Sequence, residues 1–432
     1  MAKTQIISGI DIGTDTIKLL TVKKEGRSGK IIDVLFFDKI ESLGVQKGRI
    51  KNVSEVEKRI KELFSRAREK KIPQPDDVFV NINGSKLELI DTRGLVSVGR
   101  ADQKVSQEDI DRAFQMARTI NLQSTNKEIL ADFPKEWILD EEREIKDPLG
   151  LKGKKLELEA FLLSAFSADL ENVFSVLSQA GIDIDEKNVI ASPLAATRAI
   201  LTPGQKELGT ALVDIGAGTS SVVIYEEGRL LNLAVFPVGS ANITNDIAIR
   251  FKTEIEIAEK IKKDFGSCSV LKGGGRKIEI DISSFIEEEK ERTIIDIAAE
   301  GKTAKKKAKD VLVFSEKDLK KVVDARVCEI FDLINKEIKK VSRQELLPGG
   351  IVLTGGGANL PGIVELAKKE FNLPCRTGYP RDFAGLEKNP CLSVVCGLVM
   401  DDDIDEDEVG GEFIEREGLG RKAKKFFSNF IP

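Results

Sequence analysis

Two glycine turns carry the residues best suited to chemistry. Each turn follows an apolar run that ends in aspartate. Residues 11–15 read Asp-Ile-Gly-Thr-Asp, and residues 214–219 read Asp-Ile-Gly-Ala-Gly-Thr. Glycine lets the backbone come close to a ligand, and successive N–H groups of such a turn can surround one anion. An aspartate beside that anion suits Mg²⁺, which binds through carboxylates while keeping several waters. The two turns therefore predict a site for a phosphate with its metal ion.

Each turn lies between two short runs of β-forming residues, which is typical of a β-hairpin. The runs beside the second turn, 211–213 and 222–225, are apolar throughout. For either hairpin alone, a plain turn capped by aspartate explains the pattern equally well. Two hairpins of one layout indicate an internal repeat, so we expect two related halves that face each other across one phosphate.

One further residue could complete this site, and a second strand also ends in glycine. Lys18 follows the first turn on its second strand, where it could donate to a phosphate oxygen, although an exposed strand lysine is the simpler alternative. A buried strand at 351–354 ends in three glycines at 355–357.

Composition limits the chemistry that this site could perform. The 432 residues include no histidine, which excludes histidine-based triads and the H-E-x-x-H zinc site. The five cysteines are odd in number and form no C-x-x-C pair, so we expect reduced core thiols. Residues 1–4 lead directly into a strand and no run of about 20 apolar residues occurs, so we expect neither a signal peptide nor a membrane span.

The net charge of −5 comes entirely from the C-terminal segment. Residues 401–417 contain ten acids and one arginine, and residues 418–432 contain four bases and no acid, which leaves 62 bases and 62 acids in residues 1–400. A segment so rich in one charge repels itself, and we expect a disordered, extended linker over 401–418.

An amphipathic helix is predicted after this linker, over 419–432. Its apolar residues fall at helical spacing and form one face, while four bases occupy the other. Such a helix is typical of an anchor that lies in the plane of a membrane. A helix docked on the body or on a partner is the alternative. The residues expected to contact the membrane are Leu419, Lys422, Lys425, Phe426, Phe427, Phe430 and Ile431.

The two hairpins and the strand ending in 354–357, in this order and at these spacings, resemble the phosphate-1, phosphate-2 and adenosine motifs of the actin-like ATPase superfamily. The segment 258–262 also looks like the part of that superfamily that contacts ribose and adenine. The resemblance implies ATP with Mg²⁺ as cofactors. It also implies an α/β class of fold, the two-lobed actin-like fold, which is a duplicated ribonuclease H-like fold.

Two segments make the resemblance more specific. Residues 147–153 read Asp-Pro-Leu-Gly-Leu-Lys-Gly, which resembles the dP-x-G-x-x-G signature of the FtsA family of bacterial cell-division proteins, and residues 238–248 are similar to that family too. The family implies an inserted subdomain 1C at 84–165. The other expected parts are subdomain IA at 1–83 and 166–203, IIA at 204–242 and 345–400, and IIB at 243–344.

The motifs and the resemblance together assign the site residues. Asp11 and Asp214 are expected to hold Mg²⁺, through water. The residues expected to bind the nucleotide are Gly13, Thr14, Asp15, Lys18, Gly216, Gly218, Thr219, Gly239, Glu259, Lys262, Gly355, Gly356 and Gly357. No catalytic residue is assigned.

One departure from related sequences bears on hydrolysis. Filament-forming relatives such as MreB have Glu-Pro in the segment that joins the halves, where the glutamate positions the attacking water. Here the matching residues are Ala191, Ser192 and Pro193, and neither of the first two offers a carboxylate. We therefore expect slow or absent ATP hydrolysis.

The resemblance implies an ATP-binding, polymerising adaptor at the cytoplasmic face of the cell membrane, at the division site. Its expected partners are the C-terminal peptide of the tubulin-like protein FtsZ on subdomain IIB, further copies of itself, anionic lipid, and other division proteins through subdomain 1C; nucleic acid is not expected. Two alternatives remain, a PilM-like platform protein of pilus assembly and a small-molecule kinase. The amphipathic tail argues against the first, and the lack of a candidate catalytic acid or base argues against the second.

Overall fold

The computed structural model describes residues 4–25, 31–119, 126–268, 277–281, 311–341 and 347–400. Numbered in chain order over these residues, the strands are β1 Thr4–Ile12, β2 Thr16–Glu25, β3 Ile31–Glu41, β4 Val45–Gln46, β5 Arg49–Ile50, β6 Asp77–Ile82, β7 Glu88–Ser97, β8 Lys127–Leu139, β9 Glu142–Ile145, β10 Lys155–Phe166, β11 Val189–Ala191, β12 Thr210–Ile215, β13 Ser220–Glu226, β14 Arg229–Phe236, β15 Lys277–Asp281, β16 Val311–Ser315, β17 Ile351–Thr354 and β18 Cys375–Thr377. The α-helices are α1 Val53–Glu69, α2 Gln107–Ala117, α3 Ser167–Gln179, α4 Ser192–Ile200, α5 Pro203–Leu208, α6 Ser240–Phe251, α7 Ile255–Phe265, α8 Glu316–Val341, α9 Ile363–Phe371 and α10 Ser393–Leu398.

Two five-stranded sheets have the same topology. The first has the order β3-β2-β1-β6-β11 and the second the order β14-β13-β12-β17-β18. In each, the first three strands are antiparallel and the last two join in parallel. The predicted duplication is confirmed, and we call the half built on the first sheet lobe I and the half built on the second lobe II. Equivalent positions of the two halves can therefore be compared residue by residue.

The central strands are apolar along nearly their whole length because both faces of each sheet are covered. Alternate residues of β12 belong to different apolar clusters: Leu212 packs in the cluster that extends into lobe I, whereas Ala211 and Val213 pack in the cluster confined to lobe II. Side chains of a strand point alternately to opposite faces, so β12 contributes to both cores at once. This arrangement fixes the end of β12, and with it Asp214, at the boundary between the lobes.

Helices α4 and α10 hold the two lobes together at their closest approach. A methyl group on Gly397 of α10 would lie 1.6 Å from the carbonyl oxygen of Ala195 in α4, so only glycine fits there. Residues of both helices are fully buried in the core of lobe I. Close packing of these two helices, one against strands of lobe I and one against strands of lobe II, joins the lobes.

A separate sheet, β7-β10-β8-β9, forms an inserted unit between β6 and α3. Helix α2 covers one face of this sheet, and the unit has its own apolar core, which includes Ile110, Trp137 and Leu158. The glycine segment at 147–153 pairs with the chain before α2. Val105 N donates to Leu151 O, and Gly150 N donates to Val105 O, each at 2.9 Å. The insertion predicted in this part of the chain is therefore an independently packed element of the fold.

Candidate nucleotide site

The first glycine turn closes the β1–β2 hairpin. Gly13 N donates to Thr16 O at 3.2 Å, and a methyl group on Gly13 would lie 2.7 Å from the same oxygen. A side chain at position 13 would therefore open the turn. Thr14 and Asp15 follow at its tip, with Asp15 exposed.

The second turn repeats this geometry in lobe II. Gly216 N donates to Thr219 O at 2.8 Å. The start of α6 packs directly on this turn, since Ser240 N donates to Gly216 O at 2.8 Å and Ala241 N to Ala217 O at 2.9 Å. A methyl group on Gly239 would lie 2.6 Å from both of these oxygens, so this contact requires glycine.

The two turns face each other across the boundary between the lobes, as predicted. A methyl group on Gly218 would lie 2.7 Å from Thr14 Oγ1. From the lobe I side, Asn83 Nδ2 donates to Thr219 Oγ1 at 3.2 Å. The predicted phosphate residues of the two halves thus lie together at the boundary between the lobes, and we call this place the cleft.

Asp11 lies in a buried hydrogen-bonded network at the floor of this cleft. Lys18 Nζ donates to Asp11 Oδ2 at 2.7 Å, and Asn81 Nδ2 donates to Asp11 Oδ1 at 3.1 Å. Burial alone would lower the pKa of Lys18, but the charge of Asp11 and its hydrogen bond outweigh burial and raise that pKa above its ordinary value. Lys18 therefore is not the exposed strand lysine that the sequence left open; it is a buried cation paired with Asp11.

Asp214, at the equivalent position of lobe II, has no such paired cation among the residues that the structure describes. It lies opposite Ser221 on β13, where Asp11 lies opposite Lys18 on β2. The pKa of Asp214 is raised to about 7. Burial is the main cause, the negative charge of Asp11 contributes, and the positive charge of Lys18 partly opposes the rise. The Asp214 carboxyl is thus poised to gain from an added cation, which fits a metal site formed with Asp11.

The glycines after β17 allow this strand end to pack against Asp214. Gly355 has a φ of +81°, and a methyl group there would lie 2.1 Å from Asp214 Oδ1. A methyl group on Gly357 would lie 2.4 Å from Ile215 Cγ2, whereas one on Gly356 would meet only Cys391 Sγ at 3.6 Å. Two of the three glycines are therefore required by packing, and Gly356 is the one with room beside it.

Glu259 and Lys262 of α7 are joined to the second turn through α6. Lys262 Nζ lies 2.6 Å from Glu259 Oε2 and donates to Thr244 Oγ1 at 2.9 Å and to Ser240 O at 3.3 Å. Burial would raise the pKa of Glu259, but hydrogen bonds from Lys262 and Thr244 lower it below its ordinary value. Because Ser240 itself binds Gly216, the structure brings this pair to the same cleft as the phosphate turns.

Ser192, which the resemblance matches to the water-positioning glutamate of MreB, makes other contacts. It is buried, accepts a hydrogen bond from Asn81 Nδ2 at 2.8 Å, and donates to Ile82 O at 3.3 Å. Its hydroxyl proton is therefore directed to the backbone. Ser192 thus has no carboxylate and no available proton with which to act on a water.

Asn81 and Asn83 are functional candidates that the sequence interpretation missed. Asn81 lies level with Asp11 on the parallel strand β6, because Val80 pairs with Ile10, and Thr354 lies level with Asp214 in the same way. The segment from Asn81 to Gly84 is thus the lobe I equivalent of 354–357. Aligning the two halves of the repeat, strand by strand, would have found it.

The predicted acidic linker and the predicted amphipathic helix with its membrane-binding residues, 401–432, lie outside the described residues. Within the described part of the chain, no helix combines the length and the apolar character needed to cross a membrane.

Comparison with protein families gives two matches along the chain. A family model described as cell division protein FtsA matches residues 211–397, and one described as an SHS2 domain inserted in FtsA matches residues 84–164. The second match coincides with the inserted sheet and α2. The insertion is therefore a recognised feature of that family.

Curated relatives match over nearly the whole chain. Cell division protein FtsA of Bacillus subtilis is 30% identical over 402 residues, which cover 93% of this chain and 84% of the relative. FtsA of Neisseria meningitidis is 29% identical and covers 98% of each chain. FtsA of Pseudomonas aeruginosa is 28% identical over 92% of this chain and 89% of its own.

Solved structures support the fold alone, at lower identity. A PilM–PilN type IV pilus biogenesis complex matches with a TM-score of 0.58 and 16% identity, over 92% of this chain and 98% of that one. MreB5 of Spiroplasma citri bound to ADP matches with a TM-score of 0.51 and 14% identity, over 91% and 94%. These likenesses confirm the two-lobed actin-like architecture expected from the motifs.

Proposed function

The chain belongs to the FtsA family of cell division proteins, and from that premise we propose that it is an ATP-binding adaptor that tethers FtsZ to the inner face of the cytoplasmic membrane. The observation that carries the proposal is the cleft between the two lobes, where two matching glycine turns face each other beside Asp11, Asp214 and Lys18. The remaining parts of the proposal rest on this cleft, on the family and on the C-terminal sequence.

ATP with Mg²⁺ is the ligand that the cleft fits best. The backbone N–H groups of two turns and the charge of Lys18 suit phosphates, and two carboxylates close to one another suit Mg²⁺ bound through water. The Asp214 pKa of about 7 supports this assignment, because a bound cation would stabilise the charged carboxylate. Glu259 and Lys262 would lie toward the nucleoside. A related architecture, MreB5 of Spiroplasma citri, was solved with ADP bound.

Calorimetric titration of the full chain with ATP tests this assignment. We expect binding in the presence of Mg²⁺ that weakens when Mg²⁺ is removed, and a loss of the Mg²⁺ effect in Asp214→Asn. A chain that binds no ATP at millimolar concentration, with or without Mg²⁺, would contradict the proposal.

Hydrolysis is proposed to be slow, with the nucleotide acting on conformation and polymer state. Ser192 accepts from Asn81 and donates to Ile82 O, and a hydroxyl in place of a carboxylate is too weak a base to activate an attacking water. A single-turnover assay that measured hydrolysis faster than about one per second would count against this part of the proposal.

Membrane attachment is proposed for the amphipathic segment 419–432. Four bases contribute roughly 1 kcal/mol each on anionic lipid, and the apolar face adds more, less the cost of ordering a helix. The 401–418 linker reaches roughly 20–25 Å as a flexible chain, and further when its charges repel. A single copy would then bind reversibly, and self-assembly would raise the avidity by orders of magnitude.

The partner assignments follow from the family. FtsZ would bind through its C-terminal peptide to subdomain IIB, over 243–344, and other division proteins would bind the inserted unit. The pilus-platform and small-molecule kinase alternatives gain no support, since the likeness to the PilM complex at 16% identity reflects the shared fold.

A further inference from the structure

The tip of the β4–β5 hairpin, Lys47 and Gly48, lies against both glycine turns. Gly48 N donates to Thr14 Oγ1 of the first turn at 3.0 Å. A methyl group on Gly48 would lie 3.2 Å from Thr219 Cγ2, and one on Gly218 would lie 3.1 Å from Lys47 Cα. The tip therefore belongs to lobe I but touches the phosphate turn of lobe II. None of the site residues assigned from the sequence lies on it.

The residue at the apex is an unusual choice for its backbone conformation. Lys47 has a φ of 50° and Gly48 a φ of 73°, so the two-residue turn is left-handed at both positions. Asparagine, aspartate and glycine are favoured at the first position of such a turn, and lysine is not. A residue held in a disfavoured conformation beside a ligand site is a reasonable candidate for a role at that site.

The charge balance of the cleft points to the same residue. Lys18 is already paired with Asp11 at 2.7 Å, while Asp15 adds a further negative charge at the first turn. A nucleoside triphosphate would bring more negative charge, even with its metal. Among the described residues, Lys47 is an exposed lysine for which neither an ion pair nor a hydrogen bond of its ammonium group occurs. Because the tip that carries it touches both turns, Lys47 can supply a positive charge to a ligand bound between them.

We propose that Lys47 is a further phosphate-binding residue, which contacts the terminal phosphate of a bound nucleoside triphosphate and so distinguishes ATP from ADP. A lysine ammonium on a flexible four-carbon stem acts on phosphate as a point charge. The tip is already in contact with the lobe II turn, so this charge would draw the lobes together when the terminal phosphate is present. The inference rests on the proposed nucleotide site and adds a residue and a selectivity to it.

The test uses Lys47→Asn with a matched control. Asparagine is favoured in this turn, so we expect the variant to melt no lower than the wild type. The control is Glu227→Asn, because Glu227 (φ 50°) and Gly228 (φ 74°) form the same kind of turn between β13 and β14, at the end of β13 away from the cleft. Both full-length variants and the wild type are titrated calorimetrically with Mg²⁺-ATP and Mg²⁺-ADP.

We expect Lys47→Asn to lose about tenfold or more in affinity for ATP, as for a lost charge-assisted contact, while its affinity for ADP stays within about twofold. Glu227→Asn should match the wild type with both nucleotides. Unchanged ATP affinity in Lys47→Asn, or an equal loss for ATP and ADP, would overturn the assignment of Lys47 and leave the proposed nucleotide site standing. A wild-type chain that binds neither nucleotide would overturn both.

Discussion

Asp11 and Asp214 occupy equivalent positions in the two halves and yet differ in their partners. Asp11 is held by Lys18 on one oxygen and by Asn81 on the other, whereas burial and the charge of Asp11 raise the pKa of Asp214 to about 7. The repeat therefore supplies two carboxylates of the same origin and different electrostatics. The first is already compensated, and the second has most to gain from a metal ion.

The glycines at 355 and 356 give a testable prediction about single residues of the site. Alanine at position 355 would need a φ of +81° and would place a methyl group 2.1 Å from Asp214 Oδ1, so Gly355→Ala should lower stability by about 2–4 kcal/mol and disturb Asp214. Gly356→Ala is the matched control, since its methyl group would meet only Cys391 Sγ at 3.6 Å. Thermal unfolding of both variants checks this. Equal melting temperatures for the two would show that the strand end is not as tightly packed as described.

The elements that carry the site were largely predictable from the sequence, and the contacts between them were not. Both hairpins and the strand at 351–354 can be predicted because their apolar runs and glycine turns are close together in the sequence. Strands β4 and β5 have two residues each, too short for any periodicity. Asn81 and Asn83 reach Asp11 and Thr219 across 70 and 136 positions of sequence, and such long-range partners leave no local pattern.

The start of α2 gives a testable prediction about the stability of the inserted unit. Burial alone would raise the pKa of Asp109, but hydrogen bonds from Ser106, Gly99 and Arg112 outweigh it and lower the pKa to about 2. Ser106 N and Gly99 N donate to this carboxylate at 2.9 and 3.0 Å. The charged form thus caps the helix and ties it to the strand end near Gly99.

Asp109→Asn should therefore destabilise the inserted unit by roughly 2 kcal/mol at neutral pH. A carboxyl group whose pKa is lowered by folding stabilises the protein when the pH is above its pKa in the unfolded state. This stabilisation is lost as the pH falls through its pKa in the folded state. The difference in melting temperature between wild type and variant should then shrink between pH 4 and pH 2. Glu108→Gln, which removes an exposed charge from the same helical turn, should melt like the wild type. A difference that stayed constant over this pH range would argue that the Asp109 charge is not responsible.

At the scale of the whole molecule, the nucleotide cleft and the C-terminal segment are expected to act together. The body of the chain is neutral through residue 400, and the acidic linker separates it from four bases at the C-terminus. Attachment to a membrane would then depend on 419–432 alone, while the number of attached copies would depend on assembly of the bodies.

Replacement of Phe426 and Phe427 by aspartate tests the anchor. The change puts charges on the apolar face, so we expect the variant to remain in the supernatant when anionic vesicles are sedimented, whereas the wild type sediments with them. Circular dichroism and ATP titration of the same variant should match the wild type, because these residues lie far along the chain from the cleft. Vesicle binding that survives the double replacement would remove this segment as the anchor.

Recruitment of FtsZ to a membrane is the most direct test of the account as a whole. Purified FtsZ is sedimented with anionic vesicles in the presence of ATP and Mg²⁺, either with the full chain or with the chain that lacks 419–432. We predict that FtsZ sediments with the vesicles only when the full chain is present, and stays in the supernatant with the truncated chain. FtsZ that remains in the supernatant beside vesicle-bound full chain would contradict it.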